Sequence, residues 1–284
     1  MTIIPFAANF PPISSAPARS VQAADFGGPF PWARPNDCGE PQHPESALCN
    51  FALADIGGNL RTMLIVDGRV HAETYLAATG VLAGFAAQRA LFDRLSSLSA
   101  HRRVGQVMVA TTKRGGKFFF GDMLNDALIA RRDEDRRLKI WPLAFDAAIS
   151  AGMKPASAPK LETLFGSVAG RISEPFFPSP ETKPGASAQD LLALFWPLVR
   201  QAFEGRLSAR KLPDDELKVV SPQLRPVVLS YLAVDCLLET AKVMPVAKAL
   251  TILMESAIYG SKVDPAALEA AGREARRAAG DRRC

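Results

Sequence analysis

The apolar positions of this chain change rhythm twice along its length. Up to about residue 57 they follow neither a helical nor an alternating period, and nine of the 22 prolines fall within the first 50 residues. Residues 1–57 are therefore read as an irregular leader rich in proline and aromatics. From Leu60 the run RTMLIVDGRVHAETYLA places two β-rich stretches around Asp67-Gly68, the favoured pair for a two-residue hairpin turn. Thr79 stands where it would cap the following helix, VLAGFAAQRALFDRLSSL, whose Leu82, Phe85, Phe92 and Leu95 share a face. VGQVMVATTK and KFFFG then predict two more strands turned at Gly115-Gly116, and Asp122 would cap a helix over MLNDALIARR.

The resulting order, ββαββα, predicts an antiparallel sheet with helices on one face, an α+β domain over residues 58–150. Prolines and small residues return between 151 and 187, around one short helix near Leu161 to Val168, and mark a linker. Beyond it the period is helical, so residues 188–284 form an all-helical domain. Its segments are DLLALFWPLVRQAFEG, SPQLRPVVLSYLAVDCLLET with Ser221 as cap and Pro222 in first position, and MPVAKALTILMESAIYG stopping at Gly260. The last two are spaced as a helical hairpin, and Asp264-Pro265 opens a final short helix.

Composition narrows the setting. With 284 residues and 48% hydrophobic positions the chain can bury a core without cross-links. Its four cysteines, Cys38, Cys49, Cys236 and Cys284, are too scattered for a disulfide framework, which points to a reduced cytoplasmic setting. Asp235, Glu239, Lys242 and Pro245 interrupt the most apolar region, so no membrane span is expected. Abundant alanine and arginine suggest a bacterial origin.

The stretch TTKRGGKFFFGDMLN resembles several phosphate or nucleic-acid motifs and satisfies none. A P-loop would need glycine where Thr111 stands and a hydroxyl where Phe118 stands. An RNA-recognition strand would need aromatics where Gly116 and Lys117 stand. What survives is a basic ribbon: Arg102, Arg103, Lys113, Arg114 and Lys117 fall within 16 residues that contain no acid, against a whole-chain net charge of +5. On a strand, His71, Glu73 and Tyr75 would share one face and offer a base, its orienting carboxylate and a phenol. Cys38, His43 and Cys49 are three of the four ligands zinc would need, at a spacing that matches no common pattern. No cofactor is implied.

Two apolar faces remain on the C-terminal helices, Leu232, Val234, Leu237 and Leu238 on one and Leu250, Ile252, Leu253 and Ile258 on the other. They are broader than a helical hairpin can cover, so they pack on the first domain or on a second copy of the chain. The sequence thus reads as a soluble, non-enzymatic protein acting through protein contacts, with homodimer formation expected. Nucleic-acid binding through the ribbon of residues 102–117 is the first alternative, and an enzyme using His71 and Glu73 the second.

Overall fold

The computed structural model describes residues 45–66, 68–96, 107–112, 115–130, 136, 138–178, 185–206 and 219–270, and the statements that follow concern these residues. The fold is mostly helical with two small antiparallel sheets of two strands each, an α+β protein. In chain order the elements are α1 (Ser46–Met63), β1 (Ile65–Val66), β2 (Arg69–Val70), α2 (Ala72–Ser96), β3 (Met108–Thr111), β4 (Lys117–Phe120) and α3 (Asp122–Asp126). They are followed by α4 (Ile140–Ser150), a 3₁₀ turn (Pro155–Ser157), α5 (Leu161–Arg171), α6 (Ala188–Phe203), α7 (Arg225–Thr240) and α8 (Val246–Gly260).

The hairpin expected at Asp67-Gly68 is present, with Gly68 at φ 75°, but its strands are two residues long. RTM is the last turn of α1, and the helix expected to start after Thr79 begins at Ala72. β-branched and aromatic residues suggested strand over HAETYLA, yet His71, Ala72, Thr74, Tyr75, Leu76 and Ala77 are buried, where helix satisfies the backbone without a neighbouring strand. Thr79 lies inside α2 and donates its hydroxyl to Tyr75 O and Leu76 O instead of capping. The two hairpins do not join, so no single four-stranded sheet forms. Asp122 opens α3 in its first turn, with Gly121 in the cap position, and Ser221 accepts Leu224 N–H and Arg225 N–H through its carbonyl ahead of α7.

Residues 46–57, read as the end of the leader, are helical. Leu48, Ala52, Ile56, Leu60 and Leu64 recur every fourth residue, and all are buried.

At the centre stands α2, with 18 of its 25 residues buried. It packs against α6, α7 and most closely α8. Gly80 faces Leu253 and Ser256, Gly84 faces Ala257, and Gln88 reaches Ser261, so α2 and α8 run in the same direction at a constant offset. A Cβ on Gly80 would stand 2.4 Å from Leu253 O, one on Gly84 1.8 Å from Ala257 O, and one on Gly260 2.2 Å from Val81 O. Only hydrogen in place of a side chain permits that approach.

One hydrophobic core extends from Leu48 to Val263 and includes Leu164, Val168 and Phe176 from within residues 151–187. The apolar faces of α7 and α8 are covered within the chain: Leu232, Val234, Leu237, Leu250, Ile252, Leu253 and Ile258 are all buried. α5 is fixed to α8 by Glu255, which accepts from Arg171 at 2.9 Å and from Ser167 at 2.6 Å, while Phe176 stacks on Tyr259 at 4.7 Å. Arg61 binds both carboxylate oxygens of Glu239 and so ties α1 to α7.

The helix contact makes a paired prediction. Gly84→Ala forces α2 and α8 apart and lowers unfolding stability by at least about 2 kcal/mol. Gly58→Ala, at a helical position where a Cβ meets nothing within 4 Å, raises it by about 0.5–1 kcal/mol. Urea unfolding of the two variants should give opposite signs.

Candidate functional site

The second hairpin is built from an unusual division of labour between its strands. Gly115 at φ 83° and the bonds Thr112 N–H to Gly116 O and Gly115 N–H to Thr112 O close the turn. β4 is half-buried: Phe118 and Phe120 pack on the main core, while Phe119 joins a smaller cluster with Leu91, Leu95, Leu124 and Phe92. Its outer edge is occupied, because Phe119 N–H donates to Lys262 O at 2.8 Å and Phe118 bridges to Val263. Gln88 holds that short segment from below, donating to Ser261 O and Val263 O at 3.0 and 2.9 Å.

β3 is its opposite. All four of its residues are exposed, Met108 to 63% and Val109 to 56%. Phe119 turns its N–H away from β3, so its partner Val109 takes no ladder bond from β4. By the alternation of an antiparallel pair, Val109 and Thr111 direct their N–H and C=O groups to the outer edge. Among the described residues no strand pairs with that edge. The result is an open, uncharged strand carried on a rigid base.

Lys262 shows how firmly the base is set. It is 4% exposed, donates from Nζ to Asn125 Oδ1 at 2.7 Å and lies over the rings of Phe120 and Phe165. Burial pulls its pKa down to about 8, against the opposing attraction of Asp122. Nothing in its local sequence, SKVD, separates it from a loop lysine.

Of the basic ribbon, Lys117 is exposed at the start of β4, whereas Arg102, Arg103, Lys113 and Arg114 lie outside the described residues. Cys38 and His43 also lie outside them. Cys49 is buried in α1, and burial, with Glu45 beside it, pushes its thiol up to about 12. The described residues contain no group of three side chains suited to a metal.

His71, Glu73 and Tyr75 do not form a strand face. His71 sits in a β-bridge position ahead of α2, while Glu73 and Tyr75 occupy the first turn of that helix and therefore point apart. Tyr75 is buried beneath Arg61, whose guanidinium carbon lies 5.9 Å from its ring centre. Burial raises its phenol pKa. Glu73 stands between His71, with Oε2 3.9 Å from Nε2, and Lys248 of α8, 3.0 Å from its other oxygen. Thr74 Oγ1 lies 2.6 Å from His71 Nδ1 and accepts Gly185 N–H at 2.9 Å. Burial first, and then the charge of Lys248, lowers the His71 pKa to about 4, so the imidazole is neutral. These groups tie the start of α2 to α8 and to residue 185. Thr74 and Gly185 are 111 residues apart and Lys248 lies on another helix, which no local spacing reveals.

A cleft of about 500 Å³ opens beside the end of α2, where Leu91, Met123 and Val227 form apolar walls and Arg94, Asp126 and Lys139 add charge. No family model, curated protein or solved structure matches the chain.

The His71 arrangement has a measurable consequence. A base whose folded-state pKa is depressed stays unprotonated while the unfolded chain takes up its proton, so stability falls as pH drops from about 6.5 towards 4. One proton corresponds to a slope of up to about 1.4 kcal/mol per pH unit. His71→Asn should flatten the measured slope by that proton within this window, as read by denaturant unfolding at successive pH values.

Proposed function

We propose that the protein works through protein contacts, receiving an extended segment of a partner protein as an additional strand along the outer edge of β3. The observation that carries this reading is the outward backbone of Val109 and Thr111, set beside the exposed side chains of Met108 and Val109 on a hairpin whose other strand is fixed in the core. Strand addition supplies main-chain hydrogen bonds for affinity and alternate side-chain sites for specificity. Edge strands are ordinarily blunted by charge, proline or a bulge, and β3, MVAT, has none of these.

Charge selects the partner. The residues flanking β3 in sequence include five arginines and lysines between 102 and 117 and no acid, so the matching strand is apolar and acidic. A second copy of this chain suits the edge poorly. Antiparallel pairing of β3 with itself lays the basic end of one strand against the basic end of the other, and like charges placed so cost affinity. The three phenylalanines that a base-stacking ribbon would present are packed inward, which favours a protein over a nucleic acid as the occupant.

A peptide-display selection against the folded chain tests the reading. Selected peptides should alternate acidic and apolar residues and protect the Val109 and Thr111 amides from hydrogen exchange. Val109→Pro removes an edge donor without breaking the β3–β4 ladder, and should abolish binding while leaving the melting temperature within a few degrees. Peptides that bind Val109→Pro as tightly as the parent chain, or a salt-sensitive complex with DNA or RNA in their place, would reject strand addition.

A further inference from the structure

Beside α2 lies a recess of about 90 Å³, room for roughly three water molecules. Three arginines line it, Arg89 of α2, Arg200 of α6 and Arg225 at the start of α7, together with the indole of Trp196 and the carboxylates of Asp93 and Glu269. Three cations from three separate elements do not meet around a small space by the demands of a hydrophobic core.

Their partners make the arrangement more pointed. Among the described residues Arg89 has neither a hydrogen bond nor an ion pair, and Arg200 has one long ion pair, 3.9 Å to Glu204. Arg225 is held in place by its Nε donation to Val220 O at 3.0 Å and by lying over the Phe203 ring. Neither Asp93 nor Glu269 comes within ion-pair distance of these guanidiniums, and both are exposed, at the mouth of the recess. Burial lowers the pKa of Arg225, the charges of Asp93 and Glu204 oppose that, and Arg89 adds a smaller repulsion in the same sense as burial. Arg89 and Arg225 thus line the same small space, and among the described residues no carboxylate forms a direct ion pair with either. The recess also meets the amino-terminal end of α7, a helix of 16 residues whose dipole adds positive potential there. Trp196 is fixed edge-on to Phe85 at 4.7 Å and forms a rigid wall.

We infer that this recess binds a phosphate-class oxyanion through Arg89, Arg200 and Arg225. Planar guanidinium groups donate in pairs to phosphoryl oxygens. The large cleft described above adjoins the recess, with Ala90 lining both. The oxyanion is accordingly either free or the head of a small organic phosphate whose carbon body lies in the cleft.

Titration calorimetry and thermal unfolding with inorganic phosphate, with sodium chloride of matched ionic strength as control, test the inference on the full chain. Adenosine monophosphate and adenosine form a second pair of probes. Saturable binding of phosphate with a rise in melting temperature is expected, and Arg89→Gln and Arg200→Gln should each weaken it about tenfold or more. Arg89→Gln should not change the melting temperature without ligand, since Arg89 holds no other element in place. Tighter binding of adenosine monophosphate than of phosphate would assign an organic phosphate, and equal binding a free oxyanion. The inference fails if chloride reproduces the phosphate effect, if adenosine binds as well as its monophosphate, or if both glutamine variants retain full affinity.

Discussion

The fold depends on a contact between two backbones. α2 and α8 approach so closely at Gly80, Gly84 and Gly260 that a methyl group on any of them would collide with a carbonyl of the other helix. Every other helix is arranged around that pair. α6 and α7 cover the remaining sides of α2, α5 is pinned to α8 through Glu255, and α1 reaches the assembly through α6 and α7. Close approach gains dispersion contacts that larger side chains would forfeit, and it fixes the relative register of two segments about 173 residues apart. This register in turn decides where Lys262 and Val263 emerge, and with them the seat of the β3–β4 hairpin.

How much of this could be read from the chain depends on the range of each signal. Turn chemistry is local, so Gly68 and Gly115 fall at the turns expected for them. The order of two hairpin strands, helix, two hairpin strands and helix is local as well and matches the element order from β1 to α3. Helices α6 and α8 lie close to their apolar periods. Strand lengths are another matter. HAETYLA looks extended by its β-branched and aromatic content, but its burial is conferred by α6, α7 and α8, which lie beyond residue 187. The stripe Leu48, Ala52, Ile56, Leu60 was present in the sequence, hidden by Gly57-Gly58 and by the preceding prolines.

The candidate sites follow the same rule. His71 and Glu73 are near in sequence and remain within 3.9 Å, whereas the lysine that completes their group comes from α8. Tyr75 parts from them because a helical turn rotates the third residue away where a strand would have kept it aligned. Lys117 and the phenylalanines beside it could be placed on the hairpin from sequence, but which strand is left open could not. The occupied edge of β4 is made by residues 262 and 263, and no local pattern identifies them as strand. The three arginines of the recess likewise come from α2, α6 and α7, each an ordinary surface residue in its own segment.

Residues 261–263 follow directly on the end of α8, are gripped by Gln88 and pair beside β4. A hairpin on a protein surface usually opens and closes independently of the body that carries it, and its amides exchange accordingly. Here the amide of Phe119 is bonded to Lys262, so the inner strand is released only when it parts from the segment that follows α8. Hairpin and helix pair therefore form one cooperative unit, and β3 is offered to solvent by an element that shares the stability of the core.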